Sequence, residues 1–150
     1  MPIFIIGLPR SGTQLFREIL NNHDNIFIPV AESLFIPYFI KKYGINPVFT
    51  SKKSRESFLQ DLSQSIYCFN MSISITDLNG SVFSDILQTN SWQCIFKYIL
   101  NDLVNSTKKN VRFGDKTPSY INYLPLLHLL YPKASFLHII RDPRDQGVSA

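Results

Sequence analysis

Residues Ile3 to Phe16 read IFIIGLPRSGTQLF, and the fold of the chain turns on them. Ile3-Phe4-Ile5-Ile6 is a short, continuous apolar run of the kind buried on both faces inside a parallel sheet. A turn bounded by Gly7 and Gly12 follows, and Thr13 to Asn22 then carries Leu15, Phe16, Ile19 and Leu20 at the spacing of one helix face. Strand, tight turn and helix in that order aim backbone N–H groups and a helix dipole at one point, where an anion is held without any particular side chain. The spacing G-x-x-x-x-G is that of a nucleotide-binding phosphate loop, yet Thr13 stands where such a loop has its lysine. The cation here is Arg10, projecting from the turn, and its planar fork of donors matches phosphate or sulfate oxygens. Ser11 and Thr13 add hydroxyl donors. The competing reading is an ordinary Gly-Pro turn with a surface arginine.

Outward from this stretch, Ile26-Phe27-Ile28 reads as a second strand closed by Pro29, which completes a βαβ unit. From Ser33 to Asn110 the pattern predicts helices over Leu34 to Tyr43, Arg55 to Tyr67 and Trp92 to Val104, separated by polar segments such as TSKKS and DLNGS. Such an insertion either covers the site and shapes a pocket or is plain scaffold. VRFGDKTP, from Val111, reads as a strand entering a loop. A helical region from Ser119 to Tyr131 follows, restarted at Pro125. Ala134 to Ile140, ASFLHII, is a strong strand, after which Asp142 as N-cap and Pro143 at the first position start another helix. The expected fold is one α/β domain over residues 1–150: a P-loop-like parallel sheet flanked by helices, with a helical insertion.

The composition agrees. A chain of 150 residues buries roughly 70% of its unfolded surface, and 45% hydrophobic with 17% charged residues is globular rather than disordered. The net charge of +4 is modest, and Lys and Arg are scattered apart from Lys41-Lys42, Lys52-Lys53 and Lys108-Lys109. That favours a few cations around one phosphorylated small molecule over a nucleic-acid stripe; the lysine pairs read as solvated surface. Cys68 and Cys94, with His23, His128 and His138, show no metal-ligand spacing and read as two reduced core thiols and isolated imidazoles. No run reaches the roughly 18 apolar residues of a membrane span, and nothing reads as a signal peptide. The expectation is a soluble cytoplasmic protein.

Three further places carry candidate chemistry. Arg141 follows the strand ASFLHII at its carboxyl end, where ligands of open α/β sheets bind, and Ser149 lies eight residues on. A salt bridge from Arg141 to Asp142 or Asp145 is the alternative. Lys116, in GDKTP, leaves a strand toward the same edge, unless Asp115 merely neutralises it. Glu32, in IPVAES, is a lone carboxylate among apolar residues. It suits a proton acceptor with a raised pKa or, equally, a helix-start residue favoured by the dipole.

Together GLPRSGTQLF, IPVAES, GDKTPSY and FLHIIRDPRDQGVSA resemble, in that order, four segments of the PAPS-dependent sulfotransferases. PAPS is 3′-phosphoadenosine-5′-phosphosulfate. The first is similar to the arginine-bearing phosphosulfate loop of bacterial and protein-tyrosine members. The resemblance covers essentially the whole chain. It implies that Arg10, Ser11, Gly12, Thr13 and Gln14 bind the 5′-phosphosulfate and that Arg141 and Ser149 bind the 3′-phosphate. It further implies that Glu32 is the general base, with Lys116 and Arg10 stabilising charge on the sulfuryl group and the leaving phosphate. No metal is implied, and PAP is the product. The acceptor would be a small molecule, glycan or peptide offering a hydroxyl or amine, with neither nucleic acid nor membrane as partner. Gln14 departs from the family's second hydroxyl residue. The chain also stops at Ala150, inside the helix that carries Ser149, so the resemblance implies an apparently truncated, N-terminal portion of a longer protein. Two other readings stand beside it: a non-catalytic remnant, and a magnesium-dependent P-loop kinase or NTPase with a shifted cation.

Overall fold

The computed structural model describes residues 1–105, 107–108, 110–142 and 144. Among them lie four strands, β1 (Ile3–Gly7), β2 (Ile26–Phe27), β3 (Arg112–Lys116) and β4 (Ser135–Ile139). They form one parallel sheet in the order β2-β3-β1-β4. All five residues of β1 are buried, as the apolar run demands of a central strand. Successive side chains point to opposite faces. Ile3 and Ile5 join Ile28, Phe16 and Leu20 beneath helix α1 (Thr13–Asn21), while Phe4 and Ile6 enter the larger core on the other face.

The strand order departs from the simplest expectation. β1 and β2 are consecutive in sequence but not neighbours, because β3 lies between them. β2 is two half-buried residues, fit only for an edge, whereas Phe113 to Lys116 of β3 are all buried. The longer and more fully buried strand takes the interior position although it arrives some eighty residues later. Helix α1 also splits its apolar set. Phe16 and Leu20 pack on the sheet, while Leu15 and Ile19 are exposed.

The insertion holds more helices than its periodicity suggests: α2 (Ile36–Tyr43), α3 (Lys52–Ser63), α4 (Ile66–Asn70), α5 (Ile75–Leu78), α6 (Ser81–Gln88) and α7 (Trp92–Lys97). The last runs on into a π-helical turn, Tyr98–Asp102. Serine explains the breaks. Ser51, Ser65, Ser74 and Ser91 each accept an N–H bond from the first turn of α3, α4, α5 and α7, a cap worth ~1 kcal/mol. The helix expected from Arg55 to Tyr67 therefore begins at Lys52 and is interrupted before Ser65. Phe39, Phe49, Phe58, Phe83, Trp92 and Phe96 fill the centre of this lobe, and the Trp92 indole N–H donates to the Gly44 carbonyl at 2.8 Å. After β3 come a 3-10 segment, Pro118–Tyr123, and helix α8 (Leu124–Leu130).

Two surface readings change in detail. The Lys108 ammonium is not simply solvated: it donates to the carbonyls of Asn21, His23 and Ile26 and closes the connection from α1 to β2. Of the two free thiols, Cys68 is buried but Cys94 is exposed.

Candidate functional site

The parallel register brings the ends of three strands to one edge. Ile5 lies beside Lys116, and Gly7 beside Ile139, two residues before Arg141. The turn from Gly7 to Thr13 closes over this edge. At Gly7 a Cβ would stand 2.7 Å from the Ile139 carbonyl oxygen, so only a glycine lets the turn leave against β4. Gly12 holds φ 96° at the N-cap of α1, a left-handed conformation that favours glycine. It brings no side-chain cap, so the first-turn N–H groups of α1 face outward for an anion. Arg10 is itself left-handed, at φ 66°, a strained conformation for a residue with a side chain, and it is exposed.

A cleft of about 630 Å³ opens there, lined by Arg10, Gly12, Thr13, Gln14, Glu32, Lys116 and Arg141 among others. The Arg141 guanidinium approaches the Arg10 carbonyl oxygen to 3.5 Å, which sets the two arginines side by side over the sheet edge. Among the described residues neither has a carboxylate within salt-bridge distance, and Asp142 instead pairs with Arg144 at 2.7 Å. Asp142 also accepts the Arg144 backbone N–H at 2.9 Å, as an N-cap does. Ser11 is buried beneath the turn, and its hydroxyl has no partner among the described residues. Gln14 lines the cleft but donates its amide to Glu18 at 2.9 Å along the helix. Ser149 lies outside the described residues.

Glu32 and Lys116 meet. The ammonium donates to the Glu32 carboxylate at 2.7 Å, with the Lys116 side chain nearly buried and Glu32 about one-third exposed. Glu32 thus faces a cation and an open cleft, not the apolar surroundings that its sequence neighbours suggest. Asp115 does not neutralise Lys116. Alternation along β3 sends its carboxylate to the opposite side, into a buried cluster with Ser33, Thr117 and Tyr120. Burial pushes its pKa up from 3.8 to about 6, against the lowering effect of hydrogen bonds from Ser33 and Thr117. This cluster was not legible as a unit, since its members come from segments more than eighty residues apart; the only hint was a carboxylate inside a strand.

The chain matches the family model described as "Sulfotransferase family" over residues 2–150. It belongs to that family. An uncharacterized protein of Aquifex aeolicus is 25% identical to this sulfotransferase-family chain over 148 residues. That alignment takes in 99% of the present chain and 16% of the relative, so the chain spans a small part of the relative it matches. Membership agrees with the parallel sheet flanked by helices. Among the described residues of this family member, no cluster of His, Cys, Asp and Glu could hold a metal ion, and no helix is long and apolar enough to cross a membrane.

Proposed function

We propose that the cleft binds PAPS and that the protein transfers its sulfuryl group to a hydroxyl or amine of an acceptor. The observation that carries this reading is the convergence of Arg10, Lys116 and Arg141 on one cleft beside an uncapped helix start. Three cations and a set of free N–H groups match a ligand with phosphate at two places. The residues fit the donor: the partnerless Ser11 hydroxyl and the first turn of α1 supply hydrogen bonds, and Arg10 supplies a planar fork. Arg141 grips the 3′-phosphate, and Ser149 joins it in this proposal.

The transfer needs an acceptor proton removed, a bond formed from sulfur to the acceptor (S–O for a hydroxyl, S–N for an amine) and the bond from sulfur to the 5′-phosphate oxygen broken, its electrons staying on that oxygen. Glu32 takes the proton. Lys116 and Arg10 hold the charge that builds on the sulfuryl oxygens and the leaving phosphate. The 2.7 Å ion pair links these roles: as Lys116 turns to the donor's anionic oxygens, it releases the Glu32 carboxylate to act as base. Positioning and electrostatics carry most of the rate, and the base contributes about 10²- to 10⁴-fold. Two free thiols suit a reducing compartment, and we place the protein in the cytoplasm.

Calorimetry with PAP tests the proposal. Binding without magnesium is expected, weakened by roughly 10- to 100-fold in Arg10→Ala for the loss of a charge-assisted contact. Heat only with MgATP would favour a kinase-like site, and no heat at millimolar PAP would refute the reading.

A further inference from the structure

The buried cluster behind the cleft has one consistent set of proton directions. An ionised carboxylate only accepts, so Ser33 Oγ and Thr117 Oγ1, the latter at 2.9 Å, both donate to Asp115. With the Ser33 proton so committed, the Tyr120 hydroxyl must donate to Ser33 Oγ across 2.6 Å. Tyr120 in turn accepts the Ile36 backbone N–H at 3.1 Å, and Thr117 Oγ1 accepts the Ser33 N–H, also at 3.1 Å. Every hydroxyl both gives and receives one bond, and the carboxylate ends both branches.

The position of this cluster matters more than its bonds. It ties the segment that carries Glu32 to β3 and the 3-10 segment that flank Lys116. Ser33 is the next residue after Glu32, and Asp115 and Thr117 bracket Lys116. We infer that Asp115 is a positioning residue for sulfuryl transfer: its ionised carboxylate orients Ser33, Thr117 and Tyr120 and thereby holds Glu32 against Lys116. The inference rests on the roles proposed above for those two residues.

Protonating Asp115 adds a hydrogen for which the cluster has no acceptor. The Ser33–Asp115 contact carries one hydrogen, so Ser33 would turn to Tyr120 and leave the phenol proton without a partner. An unmatched buried donor is costly, and the segment at Glu32 loosens instead. Burial places this titration near pH 6. Among the described residues, the groups around Asp115 are few: Tyr67, Tyr120 and Tyr131 are pushed upward by burial and stay protonated, and Glu32 and Lys116 are the charged ones.

The test follows Lys116 directly, by NMR of its labelled ammonium, beside the rate of PAP release from PAPS across the same pH range. Wild type should show a step in the Lys116 signal near pH 6, with kcat falling at the same midpoint on acidification and KM for PAPS unchanged. In Asp115→Asn that step should vanish, with kcat about tenfold below the wild-type plateau, the size of one misplaced hydrogen-bonded group. Thr117→Val keeps the carboxylate, removes one donor to its charged form and should raise the midpoint by about one unit; it serves if Asp115→Asn fails to fold. A pH profile of the Lys116 signal identical in wild type and Asp115→Asn, or a midpoint unmoved in Thr117→Val, overturns the inference. Absence of PAP release from wild type at every pH overturns the PAPS reading instead, and the pH profile of the Lys116 signal then decides this inference alone.

Discussion

Asp115 should make the pH dependence of stability run against that of activity. Its folded-state pKa is raised, from 3.8 to about 6, so the folded chain holds a proton that the unfolded chain releases. The stabilisation from that proton is fully present below the unfolded value and is lost as pH rises through the folded one. About two units at ~1.4 kcal/mol each give a ceiling of roughly 3 kcal/mol, and between about pH 7.5 and about pH 4.5 the expected gain is roughly 2 kcal/mol. With a urea slope of about 2 kcal/mol/M for a chain of this size, the midpoint moves up by about 1 M on acidification. The assay is urea unfolding followed by tryptophan fluorescence in wild type and Asp115→Asn. Other titrating groups act in both proteins, so the difference between the two curves isolates residue 115. Parallel curves would refute the reasoning, because a carboxylate titrating in that range within the fold cannot leave the difference flat. The chain would thus give up stability near neutral pH to keep this carboxylate charged, a trade common at functional sites.

Other outcomes follow from single contacts. Gly7→Ala places a methyl 2.7 Å from the Ile139 carbonyl, so it should lower stability by about 1–3 kcal/mol and weaken PAP binding as the turn shifts from β4; thermal melts and calorimetry check both. Phe58→Ala empties the centre of the insertion's aromatic cluster and should cost about 3–5 kcal/mol in urea unfolding, whereas Phe69→Ala, at an exposed site, should change little. Lys116→Ala should lower kcat for PAP release by about 10²- to 10³-fold, the cost of removing one charge-stabilising donor, with a smaller effect on PAP affinity measured by calorimetry.

Local order left clear marks in the sequence. The run from Ile3 to Ile6 read as a buried strand. The two glycines around Arg10 read as bounding a tight turn before a helix, and Ala134 to Ile140 had the length and branching of another strand. These are nearest-neighbour properties of the chain, and residue identity alone sets them. The α/β class and the basic loop at a helix start were therefore determined before folding is considered. Where each strand would sit was not. β3 displaced β2 from the side of β1 because burial is decided by competition among all segments at once. The same competition gave Glu32 a lysine for a neighbour and sent Asp115 inward to Ser33 and Tyr120. Charge and hydrogen bonding act over a few ångströms of space, and only the folded chain brings residues more than eighty positions apart to that distance.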